Sequence, residues 1–193
     1  MTKGRLEAFS DGVIAILITI MVLELKVPHG ADWATLLSLK DKFLSYALSF
    51  VFLGIYWNNH HHLLQATKIV DGRVLWANLH LLFWLSLVSF ATGWMGENHF
   101  AARPVALYGV ILLFSGVAYY ILAQVLVSVN GEDSHLARAI GKDIKGIISV
   151  VLYLIAVVLA FWFPVGSAVL YGAVAVMWLI PDRRIERGLK SPP

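Results

Sequence analysis

The chain has 193 residues, of which 59% are hydrophobic and 14% charged, and a mean hydropathy of +0.75; this composition excludes an ordinary soluble domain. The absence of cysteine excludes disulfides, thiolate metal sites and cysteine nucleophiles. The net charge of +3 and the pI near 9.2 come from short basic connections between apolar stretches, and no soluble basic face exists to hold nucleic acid.

The hydropathy pattern predicts an all-α integral membrane protein, a single domain over 1–193. Its six transmembrane helices fall at roughly 6–27, 43–66, 74–96, 104–129, 144–163 and 165–181. Phe43–Leu64, Val74–Gly96 and Val105–Val129 contain no Asp, Glu, Lys or Arg. The same holds for Ile147–Phe163 and Val165–Ile180, which Pro164 divides; both are marginal in length, and a re-entrant hairpin is the competing reading. The opening segment is interrupted by Asp11 and lacks a clear small-residue cleavage site, so it reads as a span and not a cleaved signal. Asp182–Pro193 reads as a short basic tail, helical at first and then frayed.

Basic residues set the orientation. With the N-terminus in the cytoplasm, Lys3, Arg5, Lys68, Arg73, Arg138, Lys142, Lys145, Arg183, Arg184, Arg187 and Lys190 face inward. Only Lys26, Lys40, Lys42 and Arg103 face outward. The positive-inside rule therefore predicts both termini on the cytoplasmic side.

The first helix carries two patterns. Asp11 lies one turn inside an apolar segment, where a carboxylate requires protein or water around it and a partner. Ile16, Ile20 and Leu23 recur at i, i+4 and i+7, with Thr19 among them. At about 100° per residue Asp11 points about 140° away from Ile16, so acid and aliphatic stripe meet different surroundings. Such a stripe ordinarily faces lipid or a neighbouring helix. The Thr19 hydroxyl either bonds back to the Ala15 carbonyl or lines a pathway, and the two roles are compatible. By depth, Arg5, Asp11, Trp57–His62, Asn78 and His80 share one level near the cytoplasmic side, where Asp11 is expected to accept from a His, Trp or Asn. A titrating histidine sensor is the competing reading of this cluster.

Arg5-x-x-x-Phe9-Ser10-Asp11, followed by Trp57-x-x-His60 in the second helix and Asn78-Leu79 in the third, resembles the family of the endolysosomal potassium channel transmembrane protein 175 and its prokaryotic homologues. Six spans with a cytoplasmic N-terminus resemble the short prokaryotic form over essentially the whole chain. Val88-Ser-Phe-Ala-Thr92 departs from it, where many relatives are expected to carry proline. The resemblance implies a bacterial cell-membrane protein, a homotetramer whose first helices surround a central pathway for potassium and other monovalent cations, with no cofactor. It assigns the constriction to Ile16, Ile20 and Leu23, with Thr19 on the same face. It assigns Arg5, Phe9, Ser10, Asp11, Trp57, His60 and Asn78 to the packing and hydrogen-bond network holding that helix. The function it implies is a potassium-preferring channel gated by a hydrophobic constriction, since no Thr-Val-Gly-Tyr-Gly filter segment occurs.

The alternative is a His-dependent metal or proton-coupled transporter using His60, His61 and His62. Consecutive helical residues point about 100° apart, so such a site needs His80 or Asp11 as well. A haem protein using one of these histidines with His80 is a more distant reading. Enzyme chemistry is not expected: there is no Gly-x-Ser-x-Gly or His-Glu-x-x-His, and Asp11 and Glu24 stand about 20 Å apart along one helix. Glu24 reads either as a cation-concentrating rim or as a partner of Lys26 or Lys40.

Overall fold

A computed structural model describes residues 2–131, 134, 136, 137 and 144–179. Among them the regular structure is entirely helical. Helix α1 spans Lys3–Ile20 and runs on as one 3₁₀ turn, Met21–Glu24; α2 is Trp33–Leu37, α3 Lys40–Gln65, α4 Gly72–Glu97, α5 Ala102–Asn130, α6 Ile144–Leu159 and α7 Pro164–Leu179. Helices α3, α4 and α5 begin and end within three residues of the stretches 43–66, 74–96 and 104–129. The basic tail Asp182–Pro193 and the expected cytoplasmic residues Arg138 and Lys142 lie outside the described residues.

Three helical stretches are long and apolar enough to cross a membrane: Lys3–Glu24, Gly72–Glu97 and Ala102–Asn130. Helix α3 matches α4 in length at 26 residues but carries the polar run Asn58–His62. Helices α6 and α7 are shorter apolar helices joined by a tight turn, in which Phe163 folds against Gly166. Any side chain at Gly166 would meet that ring.

The first span was expected to remain helical to Val27. Its α geometry ends instead at Ile20, and a 3₁₀ turn carries the chain to Leu25, which leaves helical space at φ −84° and ψ 79°. Pro28 supplies the reason: its ring disfavours helical backbone at Val27, so the last turn tightens before the exit. The segment between the first two spans also contains α2, a helix not expected from the sequence. Asp32 caps it, accepting from Thr35 N at 2.9 Å and from the Thr35 hydroxyl at 2.7 Å. The second bond holds its carboxyl below the usual carboxylate range.

Asp71 caps α4 in the same way, accepting from Arg73 N at 2.9 Å and Val74 N at 3.1 Å, with Arg73 Nε 2.9 Å away. The Val74 amide, then the Arg73 side chain, depresses its pKa. Helix α4 forms the centre of the fold, packed against α3 on one side and α5 on the other, with α1 across α3 and α4. Helices α6 and α7 close the far side against α5. Leu81, Leu85, Val88, Ala91 and Met95, at helical spacing on α4, are almost wholly buried. Gly109 on α5 permits the close approach of α7, because Tyr171 occupies the space a side chain there would need. The Tyr171 hydroxyl then donates to the Val105 carbonyl at 3.2 Å.

Candidate functional site: the first helix and its cradle

One face of α1 is sealed against the bundle. Leu6, Ser10, Ile14 and Met21 are at most 2% exposed and recur at roughly helical spacing. Ser10 returns its own hydroxyl proton to the Leu6 carbonyl at 2.9 Å, which leaves its oxygen free to accept. Asn78 Nδ2 on α4 donates to that oxygen at 2.9 Å, and Asn78 Oδ1 lies 2.7 Å from His60 Nε2 on α3. Since an amide oxygen only accepts, His60 Nε2 donates, which fixes the tautomer. Asn78 and Ser10 are fully buried and His60 nearly so. The bare His60 Nδ1 is buried without a hydrogen-bond partner.

Asp11 sits beside this chain of bonds. Its Oδ1 accepts from Trp57 Nε1 of α3 at 3.0 Å, as expected for an acid needing a partner from Trp, His or Asn. The Trp57 ring stacks on His61 with centroids 6.2 Å apart. His60 turns to Asn78, whereas His61 stacks on Trp57 and has the His62 ring centroid 5.6 Å away. Among the described residues no group of three metal-ligating side chains comes together.

Arg5 and Phe9, which the resemblance groups with Ser10 and Asp11, lie apart from these buried bonds among the described residues. Both are exposed, Phe9 at 48%, and the Arg5 guanidinium has no ion pair among the described residues. The reason is angular: Arg5, Phe9, Gly12, Ile16, Thr19 and Leu23 follow the alternating four- and three-residue spacing that keeps one line along a helix. They lie on the outward face, with the aliphatic stripe.

That outward face is the second half of the site. Ile16 is 55% exposed, Ile20 46% and Leu23 73%. Thr19 is exposed too, and its hydroxyl lies 3.0 Å from the carbonyls of both Ala15 and Ile16, so it bonds back to its own helix while remaining on the open face. Leu23 falls in the 3₁₀ turn, where about 120° per residue swings it away from the ideal line.

A second polar cluster lies at the other end of the helix. Thr92 Oγ1 of α4 is 2.6 Å from Ser49 Oγ of α3, 2.6 Å from the Val88 carbonyl and 4.0 Å from Met21 Sδ. Ser49 continues to the Tyr108 hydroxyl of α5 at 3.0 Å. These residues were not singled out, because Ser and Thr within apolar runs reveal no partner. The only signal was the unusual Val88–Thr92 stretch, which lies within continuous α-helix here, with Thr92 bonded back to Val88. Glu24 does not pair with Lys26 or Lys40 among the described residues. It lies against Gly93, where a Cβ would stand 2.8 Å from its Oε2.

A helical bundle with membrane-length apolar helices and a first helix anchored on one face by polar bonds defines an integral membrane protein. The model of the endosomal/lysosomal potassium channel TMEM175 family matches residues 5–88. The chain is 56% identical over 191 residues to a protein named as a potassium channel from Chryseobacterium sp. (strain P1-3), covering 99% of this chain and 100% of that one. It is 34% identical over 180 residues to one so named from Chamaesiphon minutus, covering 84% of this chain and 88% of that one. It is also similar to the crystal structure of a lysosomal potassium-selective channel TMEM175 homolog from Chamaesiphon minutus. That match has a TM-score of 0.82 at 30% identity and covers 94% of this chain and 97% of the other. The chain belongs to the TMEM175 family, whose members are ion channels and not enzymes.

Proposed function

We propose that this protein is a potassium-preferring monovalent cation channel of the bacterial cell membrane. Residues 1–193 form one six-span domain, both termini lie in the cytoplasm, and four copies surround a central pathway lined by α1. Its surroundings are membrane lipid and its permeant ion is potassium, with no resident cofactor. Ile16, Ile20 and Leu23 act as a hydrophobic constriction and Thr19 as polar relief within it. Arg5, Phe9, Ser10, Asp11, Trp57, His60 and Asn78 form the packing and hydrogen-bond network that holds the helix in place.

The observation that carries this reading is the asymmetry of α1. One face is buried and hydrogen-bonded to α3 and α4, while the other exposes Ile16, Thr19, Ile20 and Leu23 in a row. In a continuous helix the backbone carbonyls already bond to amides four residues on, so they are not free to replace an ion's water shell. Rings of branched aliphatic side chains instead control wetting, and selectivity follows from the cost of removing water from the ion. The names of the bacterial relatives support the same ion. The test is flux from proteoliposomes under opposed potassium and sodium gradients, with oligomer mass measured on the same sample. Potassium-favouring flux from a tetramer supports the reading, and silence from a tetramer defeats it.

A further inference from the structure

The 3₁₀ turn that ends the first span decides where Leu23 points. The Met21 amide still bonds four residues back, to the Leu17 carbonyl, whereas the Leu25 amide bonds three back, to Val22 at 3.0 Å. In 3₁₀ geometry side chains three residues apart eclipse one another, while in an α-helix they stand about 60° apart. Met21 and Glu24 are such a pair, and both lie against α4, at consecutive residues. Met21 is fully buried, with its sulfur 4.0 Å from Thr92 Oγ1. Glu24 lies over Gly93, where a Cβ would stand 2.8 Å from its Oε2 and 3.1 Å from its Cδ.

The surface beneath this pair is tied to its neighbours. A carbonyl only accepts, so the contact with Val88 takes the single proton of the Thr92 hydroxyl. Ser49 on α3 then donates to Thr92 at 2.6 Å, and the Tyr108 hydroxyl on α5 donates to Ser49 at 3.0 Å. All three residues are buried, so one chain of bonds joins α5, α3 and α4 where Met21 is seated. One turn further along α4, Gly96 lets α3 pass close by, since a Cβ there would stand 2.9 Å from Lys42 Cα. Between the two seated residues, Val22 and Leu23 remain exposed.

We infer that Met21 and Gly93 are positioning residues for the constriction: by seating Met21 and Glu24 together on α4, they hold the end of the first helix in 3₁₀ geometry and so set the direction of Leu23. The inference rests on Leu23 belonging to the constriction, as proposed above. At about 120° per residue Leu23 stands about 240° on from Met21, against about 200° in a continued α-helix. The seat therefore turns Leu23 by about 40°. It also carries Leu23 about 1 Å further along the axis, because each 3₁₀ residue rises about 2.0 Å instead of 1.5 Å. In a ring of four copies the same rotation is repeated in every subunit, so the seat sets how far the leucine ring closes. Neither Met21 nor Gly93 touches the permeant ion; each acts through Leu23.

The chain lacks cysteine, so a single cysteine reports one position. The test is the rate at which the neutral reagent N-ethylmaleimide modifies Leu23→Cys and, separately, Ile16→Cys in the full-length protein in proteoliposomes. Met21→Ala empties the seat at Thr92, and Gly93→Leu pushes Glu24 off α4. Each should change the Leu23→Cys rate severalfold and leave the Ile16→Cys rate unchanged, because Ile16 belongs to the α portion bonded through Ser10 and Asp11 to α4 and α3. Adding Glu24→Ala to Gly93→Leu should return the Leu23→Cys rate to its original value, a rescue that a merely loosened bundle would not give. An unchanged Leu23→Cys rate in both variants, equal changes at the two cysteines, or no rescue would each overturn the assignment. Labelling is read without ion flux, so a silent channel leaves this test intact. A severalfold labelling shift with unaltered potassium-over-sodium preference would support the seat and defeat the constriction reading.

Discussion

The two faces of α1 are built by opposite rules. Toward α3 and α4, polar groups are paired in sequence: Ser10 with Asn78, Asn78 with His60, and Asp11 with Trp57. On the outward face the one polar group, Thr19, is satisfied by its own backbone, and the rest is apolar from Gly12 to Leu23. The difference separates two kinds of signal. Polar residues inside a span report where the helix is anchored, whereas its function lies with aliphatics that taken singly look like ordinary membrane surface.

Mutations that break one face and spare the other sharpen this contrast. The largest effect is expected from Asn78→Ala, which strands a buried His60 N–H and removes the donor to Ser10. It should lower stability by about 2 kcal/mol, read as the unfolding midpoint in detergent, with loss of flux. An unchanged midpoint would mean that apolar packing alone holds α1. Ile16→Ala and Leu23→Ala should act in the opposite sense, sparing the midpoint but raising potassium flux and bringing sodium flux closer to it. Identical currents and reversal potentials in both variants would remove the constriction from this face. Thr19→Val is smaller: its hydroxyl bonds only to the backbone, so stability should change by no more than about 0.5 kcal/mol. A shift in ion preference without a shift in stability would place Thr19 in the ion's path.

The smallest effect concerns Asp71, far from either face. Its pKa is depressed by the Val74 amide and by Arg73, so its contribution is present above the ordinary carboxylate pKa of about 4 and is lost as the pH falls through its lower folded value. Circular dichroism from pH 6 to 3 should show slightly earlier acid fraying in the wild type than in Asp71→Asn. Equal curves would mean that the cap adds nothing to the acid response.

Much of this was legible because membrane spans write themselves in long apolar runs, and an isolated acid in one of them demands a partner. Asp11 and Trp57 were therefore expected near each other. Arg5 and Phe9 share the outward line of the helix, because counting back from Ile16 by four, three and four residues reaches both. Helix α2 and the 3₁₀ turn escaped because they depend on local capping by Asp32 and on the constraint before Pro28, not on hydropathy. The Thr92–Ser49–Tyr108 chain escaped because hydroxyls in apolar helices are as often bonded to their own backbone as to a neighbour.

The 3₁₀ turn that closes α1 has an electrostatic consequence. Peptide dipoles along a helix sum to about half a negative charge at its C-terminal end, carried by carbonyls left without amides. In α1 that end lies at Met21–Glu24, beside the most exposed leucine of the stripe and the Glu24 carboxylate. Four such ends converging in the proposed tetramer would lend the outer mouth a fixed attraction for cations that belongs to the backbone and survives substitution of any side chain there.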